Sequence, residues 1–570
     1  MLELSGIPVS DGIAIAKAYC LVEPDLTVKK LEDRNVVEEK ERLTNAIQKA
    51  KLELEEIRET AKDKFGEEKA TIFSAQLLVL QDPEMISAIE NHINDGINAE
   101  FALQEVASGY VSVFGAMESE YMQERAVDIQ DVAKRLIAHL LGIEILDYSR
   151  LSTEVIIVAD DLTPSMTAQL DRRYVKGFIT NIGGKTSHSA ILARSMGIPA
   201  IVGAKTVTRD IPHGTPIIMD GRSGKIIIDA NEEVKENYIT AQKNLAQESE
   251  ILAQYISLPS VSSDGHRVEI AGNIGKPEDI DAIIASGGDG IGLFRTEFLY
   301  MERSELPDEE EQFVVYKTVL EKMKNKPTIV RTLDIGGDKE LPYLKLDKEL
   351  NPFLGYRAIR LCLDQQHLFR TQLRALLRAS VHGNLKVMFP MIATLDEFRA
   401  AKEVLLEEKE SLIKNGFSVS EHIEVGMMVE IPSAAVIADL FAKEVDFLSI
   451  GTNDLIQYTF AADRMNEKVS HLYQPYHPAI LRLIKMVIDA AHNNGKWVGM
   501  CGEMAGDEIA IPILLALGLD EFSMNASSIL KARSLIGKLS KEQLAIHVDH
   551  LLMFENGTEV KQYVEHHLHV

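Results

Sequence analysis

The most reactive setting in the sequence belongs to a histidine. Gly183-Gly184-Lys185-Thr186-Ser187-His188-Ser189 follows a short apolar run ending at Thr180 and precedes a helical run over 190–196 that Gly197-Ile198-Pro199 brings to an end. This order predicts His188 in the first turn of a helix, behind a glycine-rich loop. Backbone N–H groups and the helix dipole favour a negatively charged adduct there, and Thr186, Ser187 and Ser189 add hydroxyl donors. A neutral imidazole near neutral pH is a competent nucleophile. Glycine-rich loops are common and a lone histidine is more often structural. The combination points to an imidazole that carries a transferred anionic group.

A second reactive set lies in the C-terminal half. Arg295 opens Arg295-Thr296-Glu297, Arg331 runs into Asp334-Ile335-Gly336-Gly337-Asp338-Lys339, and Arg464 follows Gly451-Thr452-Asn453-Asp454 by 10 residues. Guanidinium groups match carboxylate and phosphate with paired hydrogen bonds, so the cluster reads as an anion site. Taken singly, each arginine could equally close a structural salt bridge. Glu430 and Asp454 are hard oxygen ligands that, with water and a substrate phosphate, suit Mg²⁺. The alternative is a carboxylate that locks a barrel arginine. Zinc is disfavoured, because no His/Cys cluster accompanies them. Cys501, between Gly499-Met500 and Gly502, could donate a proton at a pocket or be a small core residue, as Cys20 and Cys362 are expected to be.

The elements that must position these residues are legible from periodicity. Eight short apolar runs, at 268–272, 290–294, 328–333, 385–389, 425–429, 446–450, 497–501 and 521–524, alternate with helical stretches. Eight strand–helix units over roughly 300 residues predict a (β/α)8 barrel, whose catalytic residues follow the C-terminal ends of its strands. The residues of the second set do so, and Glu503 and Asn525 share the pattern. Further upstream, runs at 155–159, 177–180, 199–202, 216–219 and 225–229 predict an α/β domain whose first strand holds Ile13-Ala14-Ile15-Ala16.

Between those strands the texture is helical. Over 36–65, Leu43, Ile47, Ala50, Leu54, Ile57, Ala61 and Phe65 recur at steps of three and four, a coiled-coil-like seam. Helical patterning continues to about Leu141, with breaks at Asp82-Pro83 and Asp95-Gly96, so an antiparallel bundle is inserted into the α/β domain. From Asp82 to Asp131 there are 11 Asp or Glu and a single Lys or Arg, Arg125. That stretch reads either as a solvated face or as a docking surface for a basic protein. Residues 231–256 predict a polar helical linker.

Composition bounds the partners. Apolar residues at 46% and charged residues at 26% are a globular balance. A net charge of −27 argues against nucleic acid or an anionic membrane as a partner. Three scattered cysteines speak against a disulfide framework. No leader-like start and no apolar run of membrane-spanning length occur, so a soluble, cytoplasmic protein is expected.

The glycine–histidine motif, Leu293-Phe294-Arg295-Thr296-Glu297-Phe298, Arg331-Thr332-Leu333-Asp334, Val429-Glu430-Ile431-Pro432, Asn453-Asp454-Leu455 and Met500-Cys501-Gly502-Glu503-Met504 together resemble enzyme I of the bacterial phosphotransferase system, the phosphoenolpyruvate–protein phosphotransferases, over nearly the whole chain. The resemblance implies a phosphohistidine α/β domain over 1–25 and 145–230, a helical insertion over 26–144 that binds the carrier protein HPr, a linker over 231–260, and a barrel over 261–570 that binds phosphoenolpyruvate and forms a homodimer. It implies that His188 is the tele-phosphohistidine and that Arg295, Arg331, Asn453, Asp454 and Arg464 bind phosphoenolpyruvate. Glu430 and Asp454 would hold Mg²⁺, and Cys501 would protonate the enol of pyruvate. Lys185 stands where family members often carry Arg; the charge is kept.

In that mechanism the histidine domain approaches the barrel and swings away to meet HPr, with 231–256 and 257–265 as hinges. Three rivals differ in testable ways. A pyruvate phosphate dikinase or phosphoenolpyruvate synthase needs a nucleotide-binding domain, for which no run is present. A nitrogen-regulatory paralogue normally adds an N-terminal sensory domain, whereas this sequence starts with Ser5-Gly6-Ile7-Pro8. A silent scaffold would not need His188, Glu430, Asp454 and Cys501.

Overall fold

Two sheets of different design organise the chain. The computed structural model describes all residues except 22–25, 66, 116–119, 144–152, 163–165, 167–169, 172, 185–189, 191, 192, 194–196, 302, 304, 338–340, 342, 345–348, 465, 467, 569 and 570. The chain divides into two compact units, Met1–Glu248 and Ser249–Val570.

The first unit is built on eight strands: β1 (Leu2–Ser5), β2 (Ile7–Ser10), β3 (Ile13–Cys20), β4 (Val155–Ala159), β5 (Val175–Thr180), β6 (Ala200–Val202), β7 (Pro216–Asp220) and β8 (Lys225–Ile228). Their order is β1-β8-β7-β3-β4-β5-β6-β2. The first 20 residues and the segment beyond Val155 thus share one sheet. β3, β4, β5 and β6 run parallel, and β7 returns antiparallel on β3. β1 and β2 were not anticipated: each has four residues, they flank Gly6, and they lie at the two edges of the sheet. A Cβ on Gly6 would stand 2.6 Å from the Ile201 side chain, so this turn admits nothing larger. Ile157, Phe178 and Val202 bury one face, while Ile156, Ile179 and Ile201 bury the other. Apolar residues on both faces are what a helix-covered parallel sheet requires.

Among the described residues, five helices separate β3 from β4: α1 (Val36–Phe65), α2 (Glu67–Leu80), α3 (Pro83–Asn94), α4 (Ala99–Gly115) and α5 (Glu120–Leu141). The seam of α1 is buried at Leu43, Ala50 and Leu54, with Ile47 and Ile57 packed beside it; the side chains of Ala61 and Phe65 lie outside the described residues. The break before α3 is a cap: the Asp82 side chain accepts hydrogen bonds from the Glu84 and Met85 amides, and Pro83 takes the first helical position. The acidic stretch is not one uniform face. Glu100 is buried, with Arg42 Nη2 3.1 Å away, while Asp82, Glu84 and Glu105 are exposed.

The helix Glu232–Ala253 follows, as the polar pattern predicts. Val234, Tyr238, Ala241 and Leu245 pack against Ile13, Ile218 and Ile227, and Gln242 Nε2 donates to Ile13 O at 2.7 Å. Beyond it, the expected hinge over 257–265 has little slack. Buried Arg533 donates to the carbonyls of Tyr255 and Ile256, Ser263 N donates to Leu539 O, and Asp264 accepts from Glu542 N.

The second unit is a closed parallel barrel of β9 (Glu269–Ile274), β10 (Ile291–Arg295), β11 (Pro327–Arg331), β12 (Asn384–Phe389), β13 (Glu424–Val429), β14 (Phe447–Ile450), β15 (Trp497–Met500) and β16 (Glu521–Met524). All eight match the anticipated runs within a few residues. Outward residues such as Val330, Phe389 and Phe522 join the core beneath the surrounding helices, while Leu293, Ile329, Met388, Met428 and Phe447 fill the interior. Phe389 packs edge-on against Phe369 and Phe398, with ring centroids 6.0 Å apart in each case. Truncating it to alanine removes about 3–5 kcal/mol.

Candidate active site

The C-terminal ends of the barrel strands surround a cleft of about 610 Å³. Arg295, Arg331, Glu430, Asn453, Asp454, Arg464 and Cys501 all line it, so the structure brings these seven sequence-predicted residues together. Glu503 lines it too, whereas Asn525 is exposed ahead of the helix Ala526–Lys538 and does not. His188 and Lys185 lie outside the described residues.

The cleft's charges form a ladder. Arg331 Nη2 is 2.6 Å from Glu297 Oε1 and its Nη1 is 2.9 Å from Asp334 Oδ2. Asp334 Oδ1 in turn meets Arg357 Nη2 at 2.9 Å. The same Nη2 lies 3.3 Å from Asp454 Oδ2, and Arg464 Nη1 lies 3.6 Å from Asp454 Oδ1. Burial works against the charge on Arg331; Glu297 and Asp334 outweigh it and hold the guanidinium protonated. Glu297 and Asp334 lock Arg331, and Asp454 pairs with Arg357 and Arg464. Arg295 differs from its neighbours. It makes no hydrogen bond or salt bridge with a described residue, and crowding by protein, then repulsion from Arg331, lowers its pKa. An unpaired guanidinium beside a paired one offers its donors to an incoming anion.

Glu430, one residue past β13, is 2% exposed. Its Oε1 accepts the Met391 amide at 2.6 Å, and a Cβ on Gly451 would come 3.0 Å from its Oε2. Burial first, then Asp454 and Asp334, push its pKa up against Arg331 and Arg357. A desolvated carboxyl beside two others calls for a cation, and its free side borders the cleft. Among the described residues no group of three or more His, Cys, Asp or Glu forms a complete metal cage. Two carboxylates that leave the remaining positions to water and substrate fit a hard, hydrated divalent ion.

Cys501 is 3% exposed at the inner wall of the cleft. Ser449 Oγ donates to its Sγ at 3.5 Å. Burial pushes the thiol up to about 11, against the opposing pull of that hydrogen bond and of Arg331. It is thus a thiol with a proton to give, not a preformed thiolate. Asn453 bridges the far wall: its Nδ2 donates to Glu503 Oε1 at 3.3 Å and its Oδ1 accepts from Glu503 N at 3.2 Å.

Three strained residues aim these groups. Ala358 (φ 51°), Met391 (φ 55°) and Ala461 (φ 51°) occupy the left-handed region, which disfavours side chains with a Cβ. Ala358 follows Arg357, Met391 directs its N–H at Glu430, and Ala461 ends the helix Thr452–Phe460 so that Arg464 returns over Asp454. Arg357 escaped the sequence reading. It lies in Leu354-Gly355-Tyr356-Arg357, 26 residues past Arg331 and far from a strand end. Asp334 was visible in its motif, but its partners were not.

In the first unit, the loop that leads toward His188 is anchored at Asn181, whose Nδ2 donates to Asp160 Oδ1 and Thr208 Oγ1, each at 2.5 Å. Gly183 takes a positive φ of 113°, and Gly203 packs so closely that a Cβ on it would stand 3.0 Å from Gly183 O. Ala190 and Ala193, downstream, are fully buried.

Comparison with known proteins agrees with this geometry. The family described as PEP-utilising enzyme, PEP-binding domain, matches residues 249–541; PEP-utilising enzyme, N-terminal, matches 5–125; and PEP-utilising enzyme, mobile domain, matches 151–224. The phosphoenolpyruvate-protein phosphotransferase of Priestia megaterium is 62% identical over 100% of this chain and 99% of its own length. That of Bacillus subtilis (strain 168) is 62% identical over 99% of each chain, and that of Staphylococcus carnosus (strain TM300) is 55% identical over 99% and 98%. With end-to-end identity of this order and an arginine- and carboxylate-lined barrel mouth, the chain belongs to the phosphoenolpyruvate-protein phosphotransferase family.

Proposed function

We propose that this enzyme takes the phosphoryl group of phosphoenolpyruvate onto His188 and passes it to a histidine of the carrier protein HPr, releasing pyruvate, as the first step of sugar uptake by the phosphotransferase system. The observation that carries the reading is the convergence of Arg295, Arg331 and Arg464 with Glu430 and Asp454 on one cleft. Phosphoenolpyruvate carries a phosphate and a carboxylate on one carbon skeleton and needs several cations around it.

Arg295 offers free donors to the anion. Arg331, already held by Glu297 and Asp334, presents a fixed charge with no reorganisation during the reaction. Glu430 and Asp454 would hold Mg²⁺. When bound, the ion neutralises phosphate oxygens and lowers the repulsion met by an incoming nucleophile. The His188 imidazole attacks phosphorus in line, the bond from phosphorus to the enol oxygen breaks, and enolpyruvate leaves. Cys501 then delivers its proton to the methylene carbon. Ketonisation removes the enolate as a nucleophile and disfavours return.

The chain divides by role: phosphohistidine domain over 1–25 and 145–230, HPr-binding insertion over 26–144, linker over 231–260, and phosphoenolpyruvate-binding, dimerising barrel over 261–570. Exposed Asp82, Glu84 and Glu105 are candidates for contact with basic HPr. No described helix is long and apolar enough to cross a membrane, which accords with a cytoplasmic site of action.

The test is labelling. Incubation with radiolabelled phosphoenolpyruvate and Mg²⁺ should give one acid-labile phosphohistidine at His188, and added HPr should discharge it. His188→Ala should give none. Label on another residue under turnover conditions would refute the assignment.

A further inference from the structure

The backbone groups of a residue just past a strand's last paired position need partners from elsewhere. β15 pairs with β16 as far as Met500, opposite Phe522, and Cys501 is the next residue. Its N–H donates to Ile450 O of β14 at 3.1 Å. Its carbonyl accepts from Asn273 Nδ2 at 3.0 Å. Asn273 belongs to β9, and β16 lies between β9 and β15. The same Nδ2 donates to Ser523 O of β16 at 3.3 Å, and Ser523 Oγ donates to Asn273 Oδ1 at 2.6 Å. One side-chain amide therefore reaches across a whole strand to hold the backbone of the residue that carries the thiol.

Strand alternation puts the amide there. Along β9, Ile270 and Ile274 join the core beneath the helices, and a Cβ on Gly272 would collide with Ile283 on that outer side, so Asn273 turns inward. β16 likewise sends Phe522 and Met524 outward and Glu521 and Ser523 inward. Two glycines make room for them. A Cβ on Gly292 would collide with Glu521 Oε1 and Ser523 Oγ, and one on Gly499 would collide with Glu521 Oε2. The three bonds also fix which way the amide faces. Turned over, it would set Oδ1 against two carbonyl oxygens, neither of which can donate.

We infer that Asn273 is a positioning residue for protonation: it fixes where the Cys501 thiol stands, and so the face of enolpyruvate that receives the proton. The side chain itself is held only weakly, with Ser449 Oγ 3.5 Å and Ile450 O 3.9 Å from Sγ, so its aim depends on the backbone beneath it. In the step, the S–H bond breaks as a C–H bond forms at the methylene carbon. The enolate oxygen becomes the ketone oxygen, and the negative charge ends on sulfur. An enolate is planar, and a thiol fixed on one wall of the cleft reaches one of its faces. A donor displaced by about 1 Å loses that advantage, and water then protonates both faces. Asn273 does not line the cleft; it acts through Cys501. The inference rests on the reading of Cys501 as proton donor.

The stereochemistry of the product tests it. The full chain, with Mg²⁺ and HPr, turns over phosphoenolpyruvate that carries deuterium at one of its two C3 positions, in tritiated water. The pyruvate is trapped at once as lactate, and its methyl group is analysed for chirality. The parent chain should give one methyl configuration. Asn273→Ala should give a largely racemic methyl group, and should slow pyruvate formation roughly ten- to hundredfold more than phosphorylation of His188. A purely structural loss would slow both rates together and keep the configuration; that result, or an unchanged variant, overturns the proposal. If Asn273→Ala does not fold, Ser523→Ala, which removes the hydroxyl that orients the amide, is read in the same way, and a single configuration there overturns it. Cys501→Ala separates the two claims. A single configuration in that variant refutes the donor reading itself, whereas a racemic product there with configuration kept in the other variants refutes only the role of Asn273.

Discussion

Glu430 at the mouth of the barrel and Glu521 near its floor are both 2% exposed, and burial is the first cause raising the pKa of each. Their surroundings then diverge. Glu430 sits among Asp454, Asp334, Arg331 and Arg357, beside an open cleft that a hydrated cation can enter. Glu521 faces Glu269 and Lys386 in a space left by two glycines. The same electrostatic cost has two resolutions: at the mouth an entering cation can neutralise the carboxylate, while at the floor burial and Glu269 outweigh Lys386 and favour the proton. A raised carboxyl pKa therefore does not by itself identify a metal ligand. What decides is whether the group borders room for an ion and its water.

Substitutions can break or sharpen this contrast. The largest effect is expected from Arg331→Met at the mouth, which removes the buried guanidinium that Glu297 and Asp334 share. Denaturant unfolding should show a loss of about 3–5 kcal/mol, and a loss under about 1 kcal/mol would mean that the ladder is not held by charge. Next, Glu430→Gln should weaken Mg²⁺ binding, read by calorimetry, by more than roughly 100-fold, since even residues behind a metal ligand cost 10–100-fold. Glu521→Gln should leave Mg²⁺ affinity unchanged. Equal losses in the two variants would erase the distinction between mouth and floor.

A smaller effect concerns pH. Glu521 ionises near 4.5 when unfolded and near 8 in the fold, so across that window the folded state binds the extra proton. Its contribution to stability is complete below about 4.5 and is lost as pH rises through about 8. The melting temperature of Glu521→Gln should therefore fall less steeply over this range than that of the parent chain; parallel curves would show that the buried acid is ionised. The smallest stability change belongs to Arg295→Met, within about 0.5 kcal/mol, because Arg295 makes no ion pair with a described residue. Its KM for phosphoenolpyruvate should nevertheless rise strongly. A large stability loss would mean that Arg295 is structural.

Legibility from the sequence followed the local signals. The barrel strands were readable because each is a short apolar run bounded by helical pattern, and the α1 seam because Leu43, Ala50 and Leu54 recur at helical spacing. β1 and β2 were not, because four-residue edge strands either side of Gly6 show almost no alternation. Arg295, Arg331, Glu430 and Asp454 could be found because they follow strand ends. Arg357 could not, since it reaches the cleft from an irregular segment. Glu521 was visible only as the start of a strand, and no local pattern marks a glutamate as turned inward between glycines on other strands.

Residue order alone thus determined the kinds of elements, their count in the barrel and the side chains at the strand ends, because periodicity and strand-end position are properties of neighbours along the chain. Which arginine is paired, and which buried acid meets an open cleft, depend on groups far apart along the chain: Arg357 meets Asp334 across 23 residues and Asp454 across 97. Charge, burial and hydrogen bonding act through space, so only the closed barrel could decide them.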